Sequence, residues 1–227
     1  MKITAIKTRI FLEGEDLITF IVGRIPKIQE CSIVVITSKV VALSEYRTAK
    51  NINKEQLIKN ESQRAIKTKH TWLTIKDGMF AANAGIDESN ANGKLILLPK
   101  DSFQTAENLL VRLKKIYQIK RFGILITDSR TTPLRAGVMG VALGYAGFGG
   151  LRDYRGREDI FGRKLKITQT NLADSLATTA TLIMGEGAEQ TPLGIIEHPP
   201  VDFLRKTAPG ELKIPIEDDM YRPFLVI

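Results

Sequence analysis

Charged and apolar positions alternate over residues 2–10 and predict a strand. Gly14-Glu-Asp-Leu17 opens a helix to about Val22, with its acidic residues in the first turn, where the helix dipole favours them. Residues 32–38, SIVVITS, form a β-branched run and read as a buried strand, which residues 39–44 either extend or turn into a helix. Residues 53–68 are polar and predict a helix, and residues 79–84 a short strand or turn. A further strand over 93–99 is closed by Pro99. Asp101-Ser-Phe-Gln104 starts a helix whose apolar positions Leu109, Leu110, Leu113 and Ile116 carry it to about Tyr117. Residues 122–127 read as a buried strand, and 164–170 alternate like another. Asn171 begins an alanine- and threonine-rich helix to about Met184, a loop spans 185–192, and 193–196 form a last core strand. Helices and strands mix without a regular βαβ rhythm, so the expected class is α+β.

The chain has 227 residues and 43% hydrophobic content, enough for a sizeable core. No apolar run approaches the span of a bilayer, and MKITAIKTRIFLEGEDL lacks the apolar stretch of a signal peptide. These features predict a cytoplasmic protein without a membrane partner. The single Cys31 reads as a structural thiol, and neither His70 nor His198 has a catalytic context. Chemistry is therefore left to carboxylates, lysines, arginines, hydroxyls and bound metal. A net charge of +8 raises the possibility of nucleic acid. The basic residues of 50–69 and 114–121 are scattered like solvated helix faces, however, and no nucleic-acid motif accompanies them. A small anionic substrate is the better expectation.

Five stretches carry candidate chemistry. In residues 123–137 an apolar strand delivers Asp128 and Ser129 into a segment flanked by Arg130 and Arg135. An aspartate and a hydroxyl suit a phosphate-bound Mg²⁺, and the arginines suit phosphate or carboxylate; a simple turn or cap is the ordinary alternative. Asn83-Ala-Gly-Ile-Asp-Glu-Ser-Asn90 gathers hard oxygen donors that suit Mg²⁺ or Mn²⁺, and also reads as an Asx-rich turn. Met184-Gly-Glu-Gly-Ala-Glu-Gln-Thr191 offers flexible backbone N–H groups and acidic side chains, or a plain helix stop. Thr37-Ser-Lys39 places a lysine after a buried strand. Arg152, Arg155, Arg157 and Arg163 alternate with acidic residues, as a carboxylate clamp or a charge-balanced loop would.

Taken in order, these pieces resemble one family, the coenzyme F-420 γ-glutamyl ligases, which attach L-glutamate to a deazaflavin precursor. The matching stretches are Gly14–Leu17, Thr37–Lys39, Asn83–Asn90, Asp128–Ser129, Leu151–Arg163 and Met184–Glu186. The resemblance covers residues 1 to about 197 and implies one ligase domain; residues 198–227 fall outside it and are expected as a tail packed on the same domain. It implies a mixed α+β fold of two intertwined subdomains in a homodimer, using GTP (or ATP) and Mn²⁺ or Mg²⁺. By position, Asp87, Asp128, Ser129 and Glu186 match metal ligands. Ser38, Lys39, Asn90, Gly185 and Gly187 match nucleotide contacts. Asp128 and Arg135 are the expected catalytic pair, and Arg152, Arg155 and Arg157 the expected substrate contacts. The expected partners are L-glutamate and a small-molecule carboxylate acceptor.

Two departures stand out. Leu43 occupies the place of a second family lysine, and Gly137-Val-Met-Gly140 replaces a more polar Gly-Gln-Thr-Asp run. They point to a changed acceptor or changed nucleotide contacts. A folate, the acceptor of some bacterial relatives, is the alternative to the deazaflavin. An inactive nucleotide-binding regulatory module is the alternative of another class.

Overall fold

The computed structural model describes residues 1–225. The chain opens with β1 (Lys2–Ile6) and α1 (Leu17–Arg24), and β2 (Ser32–Thr37) runs directly into α2 (Ser38–Ser44). An excursion follows: β3 (Thr48–Ala49), α3 (Lys54–Asn60), β4 (Arg64–Lys67), β5 (Trp72–Lys76), β6 (Met79–Ala82) and β7 (Leu95–Ile96). The chain returns through α4 (Ser102–Tyr117), β8 (Phe122–Thr131) and β9 (Val138–Ala146). It ends with β10 (Leu151–Asp153), β11 (Gln169–Asn171), α5 (Leu172–Met184), β12 (Leu193–Glu197) and the short α6 (Arg222–Leu225).

A five-stranded sheet of order β1-β12-β2-β8-β9 forms the centre. Its pairs are antiparallel except β2 with β8. Strand alternation splits the apolar residues between two cores. Val34, Ile36, Ile124 and Ile126 pack with Phe20 and Ile21 of α1 and with Leu109, Leu110 and Leu113 of α4. Ile33, Val35 and Leu125 pack on the opposite face with Ala173, Leu176, Ala177 and Ala180 of α5. The helices start where side-chain oxygens accept their free N–H groups: Asp16 from Thr19, Asp101 from Gln104 and Asn171 from Asp174. Two glycines let β9 lie close to both helices. A Cβ on Gly140 would stand 2.6 Å from the Ala177 carbonyl oxygen of α5, and one on Gly144 2.4 Å from the Ser102 carbonyl carbon of α4.

The excursion has its own small core of Leu57, Ile58, Ala84, Ile86 and Leu97. Its sheets are β4-β5-β6 and the ribbon β3-β7. The class is mixed α+β with several sheets, as the sequence predicts. Beyond β12 the chain lies back on the central unit. Leu204 N–H donates to the Gly147 carbonyl at 2.9 Å, Thr207 is buried, and Glu211 accepts from the Tyr145 hydroxyl and from Gly150 N–H, both at 2.7 Å.

Several elements differ from the sequence expectation. The first strand stops at Ile6, not residue 10. The helix expected over 53–68 ends at Asn60, because Arg64–Lys67 pairs with β5 as a strand instead. The strand expected over 93–99 shrinks to Leu95–Ile96. In place of a continuous strand over 164–170, Lys164 makes an isolated bridge to Glu158 and Gln169–Asn171 pairs with β10. The strand expected to end at Thr127 continues to Thr131, because β9 supplies a partner past a bulge between Ile126 and Thr127.

Candidate functional site

The parallel pair sets the place. β2 and β8 stay in register up to Thr37 opposite Thr127. There β2 gives way to α2, while β8 runs on with β9 alone on its other edge. The residues after Thr127 therefore lie beside the start of α2, at the carboxyl end of the pair, where open mixed sheets commonly hold ligands.

Four segments meet there through four hydrogen bonds. Ser38 Oγ donates to Asp128 Oδ1 at 2.8 Å. Lys39 Nζ donates to Asp87 Oδ2 at 2.8 Å. Asn90 Nδ2 donates to the Gly187 carbonyl at 3.2 Å, and Ser129 Oγ donates to Glu186 Oε1 at 2.6 Å. These contacts join 38–39 to 128–129, 128–129 to 186–187, 186–187 to 87–90, and 87–90 back to 38–39. The result is a closed ring. Asp128 and Ser129 serve different neighbours because successive strand side chains face opposite ways.

Each segment has a local cause. Asn83, Ala84 and Gly85 take φ values of 52°, 56° and 73°, a left-handed turn that redirects the chain before Asp87. Asn83 holds the turn by accepting from Thr71 Oγ1 at 2.7 Å and from Trp72 N–H at 3.1 Å. The loop after α5 needs a glycine at position 185, where φ is 82° and a Cβ would stand 2.5 Å from the Glu189 carboxyl carbon. Gly187 N–H donates to Glu189 Oε2 at 2.8 Å, so this loop already wraps an anionic side chain.

Burial raises the pKa of Asp87, but hydrogen bonds from Lys39 and Ser89 outweigh it and hold the carboxyl below its ordinary range. Asp128 is ion-paired with the buried Arg130 through Nη1. The donors Asp87, Asp128, Ser129 and Glu186 are all hard oxygens, a set that fits Mg²⁺ or Mn²⁺ in chemical type. Among the described residues no three acidic, histidine or cysteine side chains gather at one point suited to a metal ion. Lys39 and Arg130 instead provide the counter-charge for Asp87 and Asp128.

The other expected residues lie outside the ring. Arg135 is exposed in the turn between β8 and β9. Arg152 donates to the Pro200 carbonyl, Arg155 forks onto Asp153, and Arg157 stacks 5.3 Å over the Tyr154 ring. Arg152 lies opposite Thr170 just before the start of α5, whereas Glu186 follows its end; 13 helical residues separate the two ends by about 20 Å. One contributor, Ser89, was not assigned from sequence, and another, Arg130, was read there only as a flanking arginine suited to phosphate or carboxylate. Ser89 Oγ donates to Asp87 at 2.7 Å and accepts from Lys39 at 3.0 Å. Arg130 stands two residues from Asp128 on the same strand face, a spacing readable only once the strand is known to continue to Thr131.

The profile of a family described as F420-0:Gamma-glutamyl ligase matches residues 47–198. This chain belongs to that family. A coenzyme F420:L-glutamate ligase of Methanococcus maripaludis is 35% identical over 218 residues, covering 93% of this chain and 86% of the relative. The enzyme of the same name from Methanocaldococcus jannaschii is 35% identical over 190 residues, covering 83% and 76%. A third, from Archaeoglobus fulgidus, is 32% identical over 206 residues, covering 81% and 82%. The family's profile spans α2's exit to the end of β12, and so includes three of the four ring segments. No helix among the described residues is long and apolar enough to cross a membrane.

Proposed function

We propose that the protein is a nucleotide-dependent ligase that joins L-glutamate in amide linkage to a carboxylate of a coenzyme F420-0 type acceptor. GTP is the favoured nucleotide, with ATP as the alternative, and Mn²⁺ or Mg²⁺ the accompanying ion. The observation that carries this reading is the ring: in a member of a ligase family, residues 38–39, 87–90, 128–129 and 186–187 converge.

The chemistry follows from the poor electrophilicity of a carboxylate. An acceptor carboxylate oxygen attacks the γ-phosphorus, the bond to the β-phosphate oxygen breaks, and a nucleoside diphosphate leaves. The neutral amine of glutamate then attacks the acyl carbon. The C–O bond breaks, phosphate leaves, and the nitrogen loses a proton. A bound divalent ion on Asp87, Asp128, Ser129 and Glu186 would offset charge on the phosphoryl oxygens. The chain's own groups position and screen. Ser38 fixes the Asp128 carboxylate, Lys39 brings positive charge beside Asp87, and Asn90 ties the Gly185–Gly187 loop to the Asp87 segment. Holding the reactants in place carries much of the rate.

Arg135 supplies an exposed positive charge in the turn between β8 and β9. Arg152, Arg155 and Arg157 reach a second site if the chain works as a homodimer. Exposed Ile160, Phe161 and Ile167 on the same 151–171 excursion, with Leu182 and Ile183 on α5, are the apolar surface that favours such a pairing. Sedimentation of the pure chain tests this part: a dimer supports it and a strict monomer removes it. The acceptor is tested by product mass with F420-0, dihydrofolate and tetrahydrofolate. A gain of one glutamyl unit on F420-0 alone supports the deazaflavin reading, and a gain on a folate alone replaces it.

A further inference from the structure

The ring leaves one buried charge only half used. Arg130 is 8% exposed. Its Nη1 pairs with Asp128 Oδ2 and lies 3.3 Å from the Ser129 carbonyl oxygen. Its Nε and Nη2 are buried and have no hydrogen-bond partner among the described residues. Buried donors are nearly always satisfied, and leaving charged ones unmet is costly. A purely structural Arg–Asp pair gives no reason to bury those two nitrogens.

Their placement is informative. In a planar guanidinium, Nε–H and one Nη2–H lie parallel along one edge. That edge is the fork that grips two oxygens of a carboxylate or phosphoryl group. In Arg130, Nη1 is spent on Asp128 while neither donor of this buried edge has a protein partner among the described residues. Arg130 shares the strand face of Asp128, which reaches Ser38 at the ring. The turn that follows is exposed from Pro133 to Gly137.

We propose that the Nε–Nη2 edge of Arg130 is an oxyanion receptor, taking two oxygens of a substrate carboxylate or phosphoryl group beside Asp128. That the oxyanion belongs to a substrate rests on the ligase reading; the receptor itself does not. Arg130 would thus be a binding residue, held in orientation by Asp128.

The test titrates the full chain by calorimetry with L-glutamate, GTP and inorganic phosphate, in unaltered form and as Arg130→Lys and Arg130→Gln. Lysine keeps the charge but lacks the fork. The expected result is a tenfold or greater loss of affinity for one class of probe in both variants, smaller in Arg130→Lys. Loss for L-glutamate names a carboxylate; loss for GTP and phosphate together names a phosphoryl group. All affinities within twofold of the unaltered chain, in variants that melt normally, overturn the proposal, as does an unaltered chain that binds none of the probes. If both variants fold poorly, a crystal structure of the unaltered chain with GTP and L-glutamate decides. Ligand oxygens on both Nε and Nη2 support the receptor, and protein or water alone on both overturns it. Arg130-dependent binding without any amide product keeps the receptor and removes the ligase. Amide formation with every KM unchanged in the variants does the reverse.

Discussion

Ser38 and Asp128 stand 90 residues apart in sequence and share a 2.8 Å hydrogen bond. The bond is possible because β2 and β8 run parallel and in register to Thr37 and Thr127, so the next residue of each strand meets the other. Asp128 is thus held between a hydroxyl and the Arg130 guanidinium.

Asp128→Asn leaves that buried guanidinium without its counter-charge. Losing one side of a buried pair costs about 3–5 kcal/mol, so the melting temperature should fall by roughly 6 °C or more. Adding Arg130→Met should recover most of the loss without restoring ligation. Calorimetric melting of both variants checks this, and an Asp128→Asn chain as stable as the unaltered one would count against the pairing.

Gly144→Ala should be strongly destabilising. The new methyl meets backbone atoms of Ser102 and Phe103 at the start of α4, which cannot rotate away. Overpacking of this kind costs about 1–3 kcal/mol. Gly93→Ala, whose Cβ meets nothing, is a useful comparison, although its φ of 76° adds some backbone strain. Denaturant melts should rank Gly144→Ala below Gly93→Ala; the reverse order would remove the close approach of β9 to α4.

Glu61 links the exit of α2 to the excursion by accepting from Arg47 at 2.7 Å and Lys76 at 3.0 Å. Burial raises its pKa, but these two partners outweigh burial and hold it below the ordinary value. A depressed carboxyl stabilises the fold above its unfolded pKa of about 4.3, and the contribution fades as pH falls through the lower folded value. Glu61→Gln should therefore lower stability at pH 7 by about 1–3 kcal/mol and much less at pH 3. Urea melts across that range check it. An equal loss at both pH values would show that the charge is not the cause.

The tail is tied down by Glu211, which accepts from the buried Tyr145 hydroxyl and from Gly150 N–H. Burial, and then the Glu211 carboxylate, push the Tyr145 pKa up. Glu211→Ala leaves that hydroxyl without its acceptor, at a cost of about 1–3 kcal/mol. Limited proteolysis should then cut the tail sooner. An unchanged cleavage rate would mean that other contacts hold it.

Much of the central fold was legible in the sequence, and the excursion only in part: α3, β6 and β7 fall within expected elements of their kind, whereas β3, β4 and β5 do not. β2, β8, α4 and α5 announce themselves because long apolar patterns and capping residues such as Asp101 and Asn171 are local signals. β4 is a strand only because β5 lies beside it, so the polar run after Asn60 read as helix. The ring is likewise non-local. Asp128, the donors of 83–90 and the acidic residues of 184–191 were visible singly, but only resemblance joined them with Ser38 into one site, since no spacing rule brings such distant positions together. Arg130 was visible as a flanking arginine, but its role depended on β8 continuing past Thr127. The tail, expected only as a stretch packed on the ligase domain, carries the buried Thr207 and the Glu211 contact. Val226 and Ile227 at its end lie outside the described residues.

The most direct measurement of the ligase reading is phosphate release from GTP with Mn²⁺ or Mg²⁺ and F420-0, with and without L-glutamate, in the unaltered chain and Asp128→Ala. The account predicts glutamate-dependent release matched one for one by amide product, and none from Asp128→Ala. Phosphate release indifferent to glutamate, or release that survives in Asp128→Ala, would contradict it.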